Sequence, residues 1–282
     1  MQTDSQENVL CNTEYDVLQK VIVCSPAHMK IGKIINETQK HYETENIDSE
    51  IATKQHDGFV QVLKEHDIEV MEVLPQSHLH EQVFTRDIGF CIGKTLFTAM
   101  MGDKIRLPEV GQLKEVLHEQ GIEYKSFAQD SIEGGDVIVD GDKVWVGVSD
   151  RTTFEAIDAL RALLPNYQVI ELPIAERILH LDCAFNCISP ELALVYPKAF
   201  TDLDLQKLKK HYQLIEVNDE EQFTLGTNVL SIGDKKIISL PENNEVNKQL
   251  RGLGFEVIEV EFNEIIKSGG SFRCCTLPLV RT

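Results

Sequence analysis

Cys274 follows the pair Gly269-Gly270 in a strand-like run near the C-terminus. Glycines let the backbone approach a ligand closely, which suits a thiol nucleophile that must work at short range. In a strand the next residue, Cys275, points to the opposite face, so only one of the two thiols can serve a common site. His180 is the second candidate, because an imidazole with a pKa of about 6.5 can act as acid and then as base at neutral pH. Asp182 lies two positions on, on the same face of a strand. Asp87, Glu133 and Asp182 would bring several carboxylates together, and like charges repel, so such a site needs a cation. A planar guanidinium with several N–H donors matches carboxylates bidentately. A turn, a loop and a strand end are the ordinary structural alternatives for these three.

Arg106 and Arg151 stand at or just before helix starts, where a positive charge does not help the helix. They follow Asp87 and Glu133 at nearly equal intervals. Two arginines so placed could grip the α-carboxylate of an amino acid; surface salt bridges are the alternative.

What must position these residues is a phrase that the chain repeats, a helix followed by a short β-rich run: His66-Asp67-Ile68-Glu69-Val70, Gln120-Gly121-Ile122-Glu123-Tyr124, Asn166-Tyr167-Gln168-Val169-Ile170, His211-Tyr212-Gln213-Leu214-Ile215 and Leu253-Gly254-Phe255-Glu256-Val257. The period of about 42 to 54 residues is that of radial or stacked architectures. After these runs come Thr85-Arg86-Asp87, Glu133-Gly134-Gly135-Asp136, His180-Leu181-Asp182, Thr227-Asn228 and the Gly269–Cys274 run. Around one axis, carboxylates, histidine and cysteine would meet, with Thr227-Asn228 marking a scaffold copy that offers at most a polar contact.

Apolar spacing predicts helices over 50–66, 108–119, 152–164, 202–211 and 244–252. Asp150 with Thr152 and Thr153 caps one start, and Thr201 or Asp202 caps another. Hairpins are expected at Cys91–Lys94, Val139–Asp142, Ile188–Glu191 and Ile232–Lys235, with Asp140-Gly141 as central residues at positive φ. Strands alternating with helices give an α/β protein. The fifth copy lacks a return strand, and Lys20–Cys24 can supply it, closing the ring and removing an edge. Residues 26–48 are read as a long mobile loop. His41, His56 and His118 are read as solvated.

A chain of 282 residues, 42% of them apolar, can bury a substantial core, and regular repeats argue for one catalytic domain over 1–282. The formal charge of −19 disfavours nucleic acid and anionic membranes, which need clustered Lys and Arg. No apolar run is long enough to span a membrane, and Met1 to Asn12 carries no signal-peptide pattern. Seven cysteines at no framework spacing indicate a reduced, cytoplasmic chain. Cys183 and Cys187 have the spacing of half a zinc site without a second pair, so they read as buried strand residues and no metal is expected. A homo-oligomer is left open.

Phe84-Thr85-Arg86-Asp87, Glu133-Gly134-Gly135-Asp136, Ser149-Asp150-Arg151-Thr152, His180-Leu181-Asp182 and Gly269-Gly270-Ser271-Phe272-Arg273-Cys274 together resemble, in the same order, the guanidino-group-modifying superfamily of arginine deiminases, dimethylarginine dimethylaminohydrolases and amidinotransferases. The resemblance implies a five-bladed, pseudo-fivefold α/β propeller of helix–strand–hairpin units. It implies Cys274 as nucleophile, His180 as acid/base, Glu133 as its carboxylate partner, Asp87 and Asp182 as guanidinium ligands, and Arg106 and Arg151 as carboxylate ligands. Glu81 is similar to an acidic substrate-binding position of the dimethylarginine enzymes. The implied reaction is hydrolysis of arginine or an N-methylated arginine through a covalent Cys274 intermediate, without cofactor. Transfer of the amidino group to an acceptor amine is the alternative, and a non-catalytic binding protein on the same scaffold a third.

Overall fold

The computed structural model describes residues 8–282; of the N-terminal stretch read for a signal peptide, residues 1–7 lie outside the described residues. The chain folds into five three-stranded sheets, the blades of an α/β propeller. Each blade repeats one unit: an inner strand runs antiparallel to a middle strand, and the middle strand runs parallel to an outer one. A parallel pair needs a crossover, and a helix supplies it each time. In the second blade the strands are Gly89–Ile92, Thr95–Thr98 and Tyr124–Ser126, with the helix Leu107–Glu119 between the last two. The third has Val137–Asp140, Lys143–Val148 and Gln168–Pro173 with Phe154–Leu163. The fourth has Phe185–Cys187, Leu192–Val195 and Gln213–Glu216 with Asp202–Lys209. The fifth has Leu230–Gly233, Lys236–Ser239 and Glu256–Glu259 with Asn244–Gly252.

The first blade is made from both ends of the chain. Leu277–Arg281 runs antiparallel to Leu18–Cys24, which pairs in parallel with Glu69–Val73 after the helix Ser49–Glu65. That pairing closes the ring as the unpaired fifth repeat requires.

Side chains explain why the units pack. The helix Ser49–Glu65 buries Ala52, His56, Phe59, Val60 and Leu63 at three- and four-residue spacing, one apolar stripe against the sheet. His56 lies on that stripe and not in solvent as expected; burial pushes its pKa down to about 4. Between the third and fourth blades Trp145 is fully buried and donates its indole N–H to Tyr212 Oη at 2.8 Å. Phe262 stacks on Phe272 at 4.4 Å, and Phe59 tilts against Phe272 at 5.2 Å. This aromatic cluster, with each pair worth about 1 kcal/mol beyond its area, fixes the chain two residues before Cys274.

Thr153 and Thr201 cap their helices through their hydroxyls. The Val139–Asp142 hairpin differs from expectation: Asp140 pairs with Lys143 inside the ladder, and only Gly141 of the turn has a positive φ, 61°. Asp140 stays extended because its carboxylate accepts from Tyr15 and Tyr212 Oη, each at 2.6 Å. The turn with two residues at positive φ is Asp234-Lys235. Residues 26–48 are also more ordered than a bare loop, since they carry the helix Glu37–His41, capped by Asn36.

Candidate active site

All five repeats present their chemistry at one place, the short turn that leads into the inner strand. Asp87 precedes Gly89–Ile92; Glu133 immediately precedes the 3-10 turn Gly134–Asp136, which leads into Val137–Asp140; His180 immediately precedes Leu181–Cys183, which leads into Phe185–Cys187. Thr227-Asn228 precedes Leu230–Gly233, and Cys274 precedes Leu277–Arg281. Radial repetition therefore brings segments far apart in sequence to one axis.

Hydrogen bonds then link each turn to the next in a closed circle. The Arg86 N–H donates to the Cys274 carbonyl at 3.0 Å, and the Gly134 N–H to the Asp87 carbonyl at 3.0 Å. The Leu181 N–H donates to Asp136 Oδ1 at 2.8 Å, Asn228 Nδ2 to the Asp182 carbonyl at 3.2 Å, and the Cys274 N–H to Asn228 Oδ1 at 3.2 Å. Asn228 thus fastens Asp182 to Cys274, a larger task than the passive copy expected of it. A lone Asn in a polar pair carries no sequence signal for that.

Cys274, His180, Glu133, Asp182 and Asp87 are all buried. His180 Nε2 lies 2.8 Å from Glu133 Oε2, and His180 Nδ1 lies 3.5 Å from Asp87 Oδ1. Burial alone would depress the imidazole pKa, but Asp87, Glu133 and Asp136 outweigh it and raise it to about 10. His180 is accordingly an imidazolium, and its charge holds Glu133 below its ordinary pKa despite burial. Cys274 Sγ lies 3.8 Å from both Asp182 oxygens. Burial raises the Asp182 pKa, with Arg273 and His180 opposing. Among the described residues, Asp87 Oδ1 and His180 Nδ1 belong to the buried polar atoms without a hydrogen bond, and they face each other as an ion pair at 3.5 Å.

The glycines of the Glu133–Asp136 motif have a steric reason. A Cβ on Gly135 would stand 2.7 Å from His180 Nδ1 and 3.0 Å from Asp87 Oδ1, and one on Gly134 would run into the Arg86 carbonyl. Asp136, whose pKa burial raises to about 6, holds the Leu181 N–H and accepts from Ser149 Oγ at 2.7 Å, fixing the turn between His180 and Asp182.

Arg106, Glu81 and Arg151 differ in how far their side chains are already engaged by the protein. Arg106 does not present free donors for a substrate carboxylate. Its Nη1 donates to Asp87 Oδ2 at 2.6 Å, Nε to both Glu109 oxygens, and Nη2 to Glu109 Oε2 at 2.8 Å and to the carbonyls of Glu81 and Phe84. Glu109, three residues on in the same helix, is the reason, and its i,i+3 spacing is a legible signal. Glu81 is also engaged: its oxygens accept from Gln39 Nε2 at 2.7 Å and Ser268 Oγ at 2.9 Å, while burial raises its pKa to about 7. Arg151 is the more open arginine. Its Nη2 donates to the Ile35 carbonyl at 2.8 Å, and Nη1 lies 3.8 Å from Glu133 Oε1.

Two cavities flank the buried cluster and share the wall Asn36, Glu37, Arg177, Ile178 and Leu179. One, about 330 Å³, reaches Cys183 and Gly269 beside Cys274; the other, about 560 Å³, reaches Arg151 and Gly102. The sets Asp87–Glu133–His180 and Asp182–Cys183–Cys274 have ligand atoms within 4.8 Å of one another. No helix among the described residues is long and apolar enough to cross a membrane, and all seven cysteines are free and buried.

A family model described as N,N dimethylarginine dimethylhydrolase, eukaryotic, matches residues 25–281. The uncharacterized protein YkgA of Bacillus subtilis is 52% identical over 98% of this chain and 97% of its own length. The bifunctional arginine dihydrolase/ornithine cyclodeaminase AgrE of Nostoc is 27% identical over 92% of this chain, which spans 37% of that longer protein. The solved N-terminal domain of ArgZ, a cyanobacterial arginine dihydrolase bound to product, superposes with a TM-score of 0.86 at 25% identity, over 94% of this chain and 98% of that domain. The order of motifs, the five blades and these matches agree: the chain belongs to the N,N dimethylarginine dimethylhydrolase, eukaryotic, family, within the guanidino-group-modifying superfamily.

Proposed function

We propose that the protein hydrolyses the guanidinium of arginine or an N-methylated arginine, giving citrulline with ammonia or the corresponding amine, as a cytoplasmic enzyme whose residues 1–282 act as one catalytic domain. The observation that carries this is the thiol of Cys274 at 3.8 Å from both oxygens of Asp182, in the same buried ring as the His180–Glu133 pair. Such a thiol beside a carboxylate fits a cationic, planar electrophile.

In this mechanism Asp182 and Asp87 accept the guanidinium N–H groups and set its central carbon against Cys274 Sγ. With the guanidinium bound, the Cys274 thiol releases its proton to solvent and the thiolate attacks that carbon; the tetrahedral adduct expels ammonia or an amine, which takes its proton from His180. A bound cation offsets the carboxylates that raise the imidazole pKa, bringing it back towards neutrality. His180 can then take a proton from water, which attacks the amidino-thioether; Cys274 leaves as the thiolate, and the ureido group of citrulline remains. Glu133 orients the imidazole throughout, Arg106 holds Asp87, and Arg151 receives the substrate carboxylate from its cavity.

The test incubates the full chain with arginine, monomethylarginine, asymmetric dimethylarginine and agmatine, and measures ureido product, released amine and ornithine. Citrulline with stoichiometric ammonia or amine supports hydrolysis and identifies the methylation state. Ornithine formed only with an acceptor amine present supports amidino transfer instead, and turnover of none of the four sinks the proposal.

A further inference from the structure

Arg86 and Arg273 each precede a site residue, Asp87 and Cys274, in the turns that lead into the inner strands. Both are buried, and burial together with the Arg273 charge pushes the pKa of Arg86 down. Arg273 Nε reaches back to within 3.4 Å of Asp182 Oδ2. Two guanidinium groups cannot share a dry axis without an anion.

The anion comes from outside the segment matched by the family model, residues 25–281. Residues 10–15 run across the end of the axis, bridging to Val280, Gly93 and Asp140 in three different blades. They insert Glu14, whose Oε2 lies 2.6 Å from Arg273 Nη1 and 3.6 Å from Arg86 Nη1, while Oε1 accepts the Val139 N–H at 3.2 Å.

We propose that Glu14 is a positioning residue for the reaction, acting through Arg273 on Asp182 and through Arg86 on Asp87 and Cys274. The proposal rests on Cys274 being the nucleophile. Without the carboxylate, the two arginines repel, Arg273 is drawn further to Asp182, and the guanidinium-binding oxygens beside the thiol are lost to an internal ion pair. The same change leaves uncompensated positive charge near Cys274. The titratable and charged groups against that thiol are Asp182 at 3.8 Å, Cys183 of the same 3-10 turn, the adjacent Cys275, and Arg273 on the far side of Asp182. The charge of Glu14 itself is steady at working pH, because Arg273, Arg86 and Arg281 overcome burial and hold its pKa down at about 2.

The test is Glu14→Gln in the full chain, read by steady-state kinetics and by the iodoacetamide alkylation rate of Cys274 across pH. The expected result is a fall in kcat/KM of roughly tenfold or more that includes a rise in KM, because Asp182 is withdrawn from the guanidinium, and alkylation at neutral pH faster by roughly threefold to tenfold, its profile displaced to lower pH. Adding Arg86→Gln, which restores charge balance, should return the alkylation profile. Unchanged kcat/KM and alkylation overturn the proposal. So does a loss of kcat/KM with an unmoved alkylation profile, which marks a purely structural role. If Glu14→Gln does not fold, Glu14→Asp takes its place: the shorter side chain withdraws the carboxylate from Arg273, so kcat/KM should fall and the alkylation profile should move part of the way to lower pH, and wild-type kcat/KM or an unmoved profile there overturns the idea. Alkylation needs no turnover, so absence of activity on arginine compounds would count against the proposed reaction and leave this test intact.

Discussion

Arg106 Nη1 donates to Asp87 Oδ2 at 2.6 Å, and Glu109 grips the same guanidinium from the other side through Nε and Nη2. The arginine is therefore a fixture of the site wall. It completes a buried chain of alternating charge, Glu109, Arg106, Asp87, His180, Glu133 and Arg151, in which each neighbour neutralises the last. Breaking one link leaves a buried charge uncompensated, which costs about 3 to 5 kcal/mol where relaxation is poor.

This separates the two arginines by experiment. Arg106→Ala should lower kcat on arginine and agmatine by similar factors of about a hundred, since Asp87 loses its orientation whatever the substrate's other end carries. Arg151→Ala should instead raise KM for arginine by roughly tenfold or more and leave agmatine, which has no carboxylate, nearly unaffected. Equal effects of the two substitutions on both substrates would remove the distinction.

The His180–Glu133 pair predicts a specific pH dependence of stability. The folded-state pKa of His180 is raised to about 10 against an ordinary 6.5. Its contribution is thus complete below pH of about 6.5, declines above it and is gone as pH rises through the folded value. Melting temperature of the wild type should fall from pH 7 to pH 10 more steeply than that of His180→Gln. Parallel curves would mean that the imidazolium is not stabilised as described.

The radial architecture is legible in the sequence because each unit carries its own period: helix stripes at three and four residues, short β runs, and turn residues. Closure is legible too, since a fifth copy without its return strand and an orphan strand-like run at Lys20–Cys24 need each other, and the strand that forms there is Leu18–Cys24. The site residues are legible as types in phase, but their partners are not. Glu109 could have been found from its spacing to Arg106. Asn228 and Glu14 could not, because the first looks like a polar loop residue and the second reaches the axis only once the ring has formed. His56 failed for a simpler reason, a polar residue on an apolar stripe being paid for by depression of its pKa.

The two adjacent thiols should behave differently. Cys274 faces Asp182, whereas burial pushes the pKa of Cys275 well above that of a free thiol, so only the first should be reactive. Cys274→Ser should reduce turnover by about a thousandfold or more, and Cys275→Ala should stay within about tenfold of the wild type. Peptide mapping after brief alkylation checks the assignment independently, with label expected on Cys274.

Glycine substitution can separate the needs of the site from those of the fold. At Gly135 an added Cβ meets His180 Nδ1 at 2.7 Å and Asp87 Oδ1 at 3.0 Å, both side-chain atoms of the site. At Gly134 it meets the backbone carbonyls of Arg86 and Gly89, which belong to the neighbouring blade and cannot turn aside. A side chain yields by rotation, while a carbonyl moves only with its strand. Gly135→Ala should therefore fold, with its melting temperature lowered by a few degrees for a cost of about 1 to 2 kcal/mol, yet lose about a hundredfold in kcat because the imidazole is displaced from Glu133. Gly134→Ala should fail to accumulate as folded protein. Full activity in Gly135→Ala would show that the ring tolerates an His180 position other than the one fixed by Glu133 and Asp87, and would count against the imidazole geometry on which the proposed proton transfers depend.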